Sequence, residues 1–228
     1  MSNSINLADY LQRFSTKVLW HFSGYQRSEP DAYKRLVSII KSKSLKISEK
    51  TTLIRMPSGE NRLGHKCSCM CDIPFKDLKI HTERYGCFGV AFKKENAILK
   101  GFFNPVFYMH KDHPLLKHVE PLLCELEKLA SPHERLSEAL QEFLCILGTY
   151  VKRGDLLSPV HLDPSMDEEQ KNNFYYEREW RSAYEWNFSE TDLVAVMLPQ
   201  KYISEFKKVL GDEFSNVSII SAEMVGML

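Results

Sequence analysis

Tyr175-Tyr176-Glu177-Arg178-Glu179-Trp180-Arg181-Ser182-Ala183-Tyr184-Glu185-Trp186 is the stretch on which the fold turns. Its five aromatic residues give it the composition of a mostly buried strand. Alternate residues of a strand share a face, so Glu177, Glu179 and Arg181 point one way and Arg178 and Trp180 the other. Leu193-Val194-Ala195-Val196-Met197-Leu198 follows as a fully buried strand that Pro199 stops. Downstream, the spacing of Tyr202, Ile203, Phe206 and Val209 predicts a helix over Lys201 to Leu210, and Val217-Ser218-Ile219-Ile220 predicts a final strand.

Working outward toward the N-terminus, Asn6 to Phe14 has the pattern of a short helix leading into a strand, Lys17-Val18-Leu19-Trp20-His21-Phe22. Leu36, Val37, Ile39 and Ile40 mark a helix from about Asp31 to Lys43, and Leu45-Lys46-Ile47 alternates as a short strand. The polar stretch Glu49 to Lys66 is expected to be an exposed loop. Cys67 to Cys71 alternates as a strand that ends at Asp72-Ile73-Pro74, and a helix from Phe75 to Arg84 is closed by Tyr85-Gly86. Phe88 to Phe92 and Pro105 to Met109 are two further strands. In the middle the period changes to that of helices. Leu115, Leu116, Val119, Leu122, Leu123 and Leu126 form one face; Leu136, Leu140, Phe143, Leu144, Leu147 and Val151 form another, with Ser131-Pro132-His133-Glu134 as a start signal between them. Leu156 to Asn173 returns the chain to the sheet as a loop. The order predicts an α+β fold: a split, mainly antiparallel β-sheet with flanking helices, in one domain over 1–228, with a helical hairpin inserted at about 113–153.

Among the 228 residues, 43% are hydrophobic and 11% aromatic, which is ample for a core. Thirty basic residues balance thirty acidic ones, so no global field exists to hold a nucleic acid or an anionic membrane. No apolar run approaches the roughly 20 residues of a membrane span. The first residues, Met1 to Phe14, carry no basic segment followed by an apolar one, so a cytoplasmic location is expected, with the six cysteines reduced.

Two carboxylates on one strand face raise each other's proton affinity unless a cation or ligand sits between them. Glu177 and Glu179 therefore either line a binding cleft or belong to a strand stitched by cross-strand ion pairs. His21, among Val18, Leu19, Trp20 and Phe22, either meets a ligand hydroxyl or is satisfied inside the core. His65, Cys67, Cys69 and Cys71 offer soft ligands. Along a strand, however, neighbouring cysteines on one face stand about 6 to 7 Å apart, so no metal site is expected and core packing is the leading role. Phosphate-loop, dinucleotide-binding, nucleophile-elbow and H-E-x-x-H motifs are missing.

Leu19-Trp20-His21-Phe22, Cys71-Asp72-Ile73-Pro74, Tyr85-Gly86 to Phe92, Asn104-Pro105-Val106-Phe107-Tyr108 and Glu177-Arg178-Glu179-Trp180-Arg181, in that order, resemble the AbiGi family of abortive phage-resistance proteins over roughly Lys17 to Leu210. The resemblance implies a bacterial antiviral role in a family labelled antitoxin, with a cognate toxin or antitoxin as partner. A second resemblance, carried by His21, Leu36 to Ile40 and Ser44-Leu45-Lys46-Ile47, is to the opening of ADP-ribosyltransferase folds. It implies NAD as cofactor, a protein or nucleic acid as the target of modification, His21 at the nicotinamide ribose, and Glu179 completing the site. Glu177 then matches the first carboxylate of a Glu-x-Glu pair, Arg181 lines the cleft, and Tyr85 and Tyr108 are candidates for the middle-strand position. A carboxylate bonded to the ribose would orient the sugar and stabilise the positive charge that builds as the nicotinamide leaves; the second would deprotonate the acceptor.

The leading reading is an abortive-infection protein with an NAD-binding, ADP-ribosyltransferase-like domain. The alternative is a non-catalytic antitoxin or sensor that grips a protein partner or nucleotide. For the enzyme, Glu179→Gln is expected to abolish activity with little change in melting temperature.

Overall fold

A computed structural model describes residues 16–48, 52–55, 61–110, 113–130, 138–140, 142–143, 149–154 and 177–225. In chain order the elements are β1 (Val18–Phe22), α1 (Glu29–Ser42), β2 (Ser44–Leu45), β3 (Thr52–Arg55), β4 (Asn61–His65), β5 (Ser68–Cys71), α2 (Leu78–Tyr85), β6 (Gly89–Lys93) and α3 (Lys94–Leu99). Then come β7 (Asn104–Pro105), β8 (Phe107–His110), α4 (Pro114–Ala130), β9 (Val151–Gly154), β10 (Glu179–Ser182), β11 (Trp186–Asn187), β12 (Leu193–Leu198), α5 (Gln200–Leu210) and β13 (Ser218–Ser221). The fold is α+β with mainly antiparallel strands. It divides into two compact units, one of Met1–Lys46, Cys69–Phe103 and Glu185–Leu228, the other of Ile47–Ser68 and Asn104–Tyr184.

In the first unit the strands are ordered β13-β12-β6-β1-β5, with β12 and β13 parallel and the others antiparallel. The register Leu19↔Phe92, Trp20↔Ala91 and His21↔Val90 fixes which side chains share a face. Trp20, Cys71, Ile73, Leu78, Ala91, Ala195 and Met197 form one core cluster. By the pleat, Leu19 and His21 face the other way from Trp20. Helices α1 and α5 pack together through Tyr33, whose ring stacks on Tyr202 at 4.5 Å and meets Phe206 edge-on. Ser28 caps α1, its hydroxyl accepting from the Asp31 amide, and Pro30 falls in the first turn where no donor is lost.

Two glycines in this unit are fixed by close approach. A Cβ on Gly24, after β1, would stand 2.7 Å from the Tyr85 carbonyl and 2.9 Å from Gly86 Cα, and Gly86 itself has a φ of 81°. A Cβ on Gly101 would stand 2.9 Å from the Ala97 carbonyl and from the rings of Phe103 and Trp186. With glycine required at 101, the left-handed residue that ends the turn after α3 is Phe102, at φ 55°. For a bulky side chain that conformation costs on the order of 1 kcal/mol.

In the second unit β10 pairs antiparallel with β7, β3 with β4, and β8 runs parallel to β9. The polar stretch read as a loop over Glu49 to Lys66 therefore holds a hairpin. Its short polar strands lack the apolar alternation that marks a strand in sequence. The single strand expected from Tyr175 to Trp186 is also shorter. Arg178 adopts φ 43°, which delays the strand to Glu179, and the Tyr184 amide donates to Ser182 Oγ at 3.1 Å in a bend that separates β10 from β11. The β segment expected at Pro105 to Met109 is two strands, and α3 occupies part of the span between it and β6. The helix expected over Asn6 to Phe14, the loop over Leu156 to Asn173 and most of the second hairpin helix lie outside the described residues. No helix among the described residues is long and apolar enough to cross a membrane.

Candidate functional site

Glu179, Arg181, Glu177, Lys152 and Tyr108, all in the second unit, converge on one network. The left-handed Arg178 reverses the chain between the two glutamates, so Glu177, which precedes β10, is brought onto the same cation as Glu179. That cation is Lys152 on β9. Its ammonium donates to Glu179 Oε2 at 3.0 Å and to Glu177 Oε2. The Arg181 guanidinium forks onto the Glu179 carboxylate, Nε to Oε1 and Nη2 to Oε2, both at 3.0 Å, while Nη1 donates to the Thr149 carbonyl at 3.0 Å. The Glu179 amide donates to Tyr108 Oη at 2.8 Å, and its carbonyl accepts from the Val106 amide at 2.9 Å.

Two carboxylates and two cations sum to zero, and the cluster is largely withdrawn from water: the side chains of Arg181 and Glu177 are 3% and 5% exposed. Burial opposes the charge on Lys152, yet Glu179 and Glu177 prevail and hold its ammonium above the ordinary lysine range. Burial first, and then the Glu179 charge, push the Tyr108 phenol far above its ordinary value, so it is neutral at any physiological pH. The two acidic side chains meet on one cation, but through the turn at Arg178 and not through the alternation of a continuous strand, since β10 begins only at Glu179. Lys152 is the cation that their adjacency demands. It lies 25 residues upstream of Glu177 in Val151-Lys152-Arg153, which the helical spacing assigned to the end of the inserted hairpin and which is instead strand β9, paired in parallel with β8; only the requirement for a counter-charge pointed to it.

His21 and Tyr85 belong to the first unit. His21 Nδ1 lies 2.8 Å from the Cys69 carbonyl, which requires the proton on Nδ1. Burial above all lowers its pKa to about 4; the bond to Cys69 works against this, and Arg35 and Arg27 reinforce it. The imidazole is therefore neutral, a histidine satisfied by backbone. Tyr85, at the end of α2, packs its ring on Tyr25 at 5.4 Å and on His81 at 5.3 Å, with the Arg84 guanidinium 5.6 Å above it. Cys67 and Cys71 are buried.

The network can hold strands together and fix the register of β10. As a reaction centre it is encumbered, because both oxygens of Glu179 already accept from cations. Residues 48–205 match the model of a protein family described as "Putative abortive phage resistance protein AbiGi, antitoxin". The match takes in Tyr85, Tyr108, Lys152 and the Glu177 to Arg181 stretch, and starts after His21. No curated protein and no solved structure matches the chain.

Proposed function

The chain belongs to the AbiGi family of abortive phage-resistance proteins, and from that premise we propose that it is the antitoxin of an abortive-infection pair, acting by binding its cognate toxin rather than by catalysis. The observation that carries this reading is the occupancy of Glu179: Arg181 and Lys152 take up its two carboxylate oxygens inside a neutral, buried cluster. ADP-ribosyl transfer from NAD would need that carboxylate to accept from ribose hydroxyls and to face developing positive charge. Freeing it would take from Arg181 the carboxylate it forks onto and from Lys152 one of the two it meets, in a largely buried site. A Glu-x-Glu pair in an ion network of this kind acts as a structural clasp.

The test is expression in bacteria, alone and together with the toxin of the pair. The antitoxin reading predicts normal growth with the chain alone and restored growth with both. Growth arrest by the chain alone, abolished in Glu179→Gln, would instead support a transferase. Thermal-shift titration with NAD supplies a second readout, since a ligand of the native state raises the melting point by mass action; no rise is expected.

A further inference from the structure

The backbone satisfies one nitrogen of His21. With Nδ1 donating to the Cys69 carbonyl, Nε2 carries a lone pair, and no partner stands on it among the described residues. Two guanidinia flank this acceptor. Ser23, which follows β1, donates through its amide to the Phe88 carbonyl at 2.9 Å and through Oγ to the Ala32 carbonyl at 3.1 Å, pinning the first turn of α1 over the end of the strand. Alternation puts Ser23 on the His21 side of β1, and Arg35 stands about one turn along α1 from Ala32. Arg27 comes from the tight turn before α1. Its amide donates to the Gly24 carbonyl at 3.1 Å and its Nη1 to the Tyr25 carbonyl at 3.3 Å. Both cations lie close enough for their charges to act on the His21 imidazole.

What these two cations lack is an anion. The carboxylates of α1 are engaged elsewhere, Asp31 by Ser28 and Lys34, and Glu29 by Lys201. Arg35 is half-buried and makes no ion pair or hydrogen bond among the described residues; exposed Arg27 meets the Tyr25 carbonyl but no carboxylate among them. Lys94, Lys152 and Arg181, also withdrawn from water, each meet a carboxylate. A guanidinium partly withdrawn from water without a counter-charge is a cost to the fold, and such costs gather at binding sites.

We propose that Arg27, Arg35 and His21 Nε2 form a binding site for a small phosphate monoester that carries a hydroxyl beside its phosphate, as a sugar phosphate does. Charge decides the class. Two positive charges call for two negative ones, and a monoester gathers close to two on a single group near neutral pH. Its terminal oxygens also suit the forked donors of guanidinium. A carboxylate supplies one charge, and NAD fits poorly because each of its phosphates is a diester with one. The lone pair on Nε2 repels an oxyanion but accepts from a hydroxyl, so the ligand must bring a donor next to its charge. Bound there, the ester would bridge β1, the turn at Arg27 and α1. The assignment stands apart from the antitoxin reading.

The test is calorimetry on the full chain with ribose 5-phosphate, with ribose and NAD as controls, while NMR follows the His21 imidazole resonances. Ribose 5-phosphate is expected to bind and to shift those resonances; ribose and NAD are not. Arg35→Met and Arg27→Gln should each weaken binding by about tenfold or more. Lys208→Ala, which removes the same charge from the exposed face of α5, should leave it unchanged. Because Arg35→Met keeps an apolar stem and removes an unpaired charge, its melting temperature without ligand should equal or exceed that of the wild type. Absence of binding, His21 resonances that stay in place, full affinity in both arginine variants, or a lower melting temperature in Arg35→Met would overturn the assignment. Equal binding of NAD would overturn the monoester and return the site to the transferase reading. Failure to relieve toxin arrest bears on the antitoxin reading alone.

Discussion

His21 illustrates how one side chain's surroundings decide its chemistry. Its imidazole bonds the Cys69 carbonyl and is held near pKa 4, below the 6.5 of an exposed histidine. The folded state therefore binds fewer protons than the unfolded chain between these values, and the stabilisation is complete above about pH 6.5 and lost as pH falls toward 4. Replacing His21 with Gln keeps an amide donor for Cys69 and removes the titration. The variant should show a shallower fall in melting temperature between pH 6.5 and 4 than the wild type; parallel curves would mean that the imidazole does not titrate in this window. The sequence left two roles open for His21, and spacing could not separate them, because the deciding atom is a backbone oxygen 48 residues away. Lys152 shows the same limit. The repulsion between Glu177 and Glu179 was legible and called for a cation, but which one arrives from β9 depends on strand pairing.

At the level of elements, the apolar runs were the easiest to read. Leu193 to Leu198, Val18 to Phe22 and the helix around Leu36 to Ile40 stand where their patterns placed them, since burial on one or both faces leaves a periodic trace. Elements set by backbone conformation were harder to find. A left-handed Arg178 and a Ser182 bend cut the aromatic strand, and the polar hairpin β3 to β4 offers no apolar alternation. The junction between the end of β1 and the end of α2 rests on such a detail: Gly24 and Gly86 touch backbone to backbone. Gly24→Ala should cost about 1 to 3 kcal/mol, because the neighbouring atoms belong to main chain and cannot step aside. Denaturant unfolding would register this, and an unchanged midpoint would show that the junction yields.

For the molecule as a whole, the balance of thirty basic and thirty acidic residues is repeated in miniature at the network, where two carboxylates meet two cations. An α+β fold with mainly antiparallel strands and a place in a phage-defence family were within reach of the sequence, through the order of its short motifs. The role of the Glu-x-Glu strand was not, since a free carboxylate pair and a clasped one have the same spelling. The two possibilities separate in the unfolding free energy of Glu179→Gln. As a clasp, Glu179 accepts from the Arg181 guanidinium and shares Lys152 with Glu177, so its neutralisation removes one of the two negative charges that balance the buried cations. The loss expected in denaturant unfolding is about 3 kcal/mol. Wild-type stability in Glu179→Gln, accompanied by loss of biological activity, would contradict the structural role and return the carboxylate to catalysis.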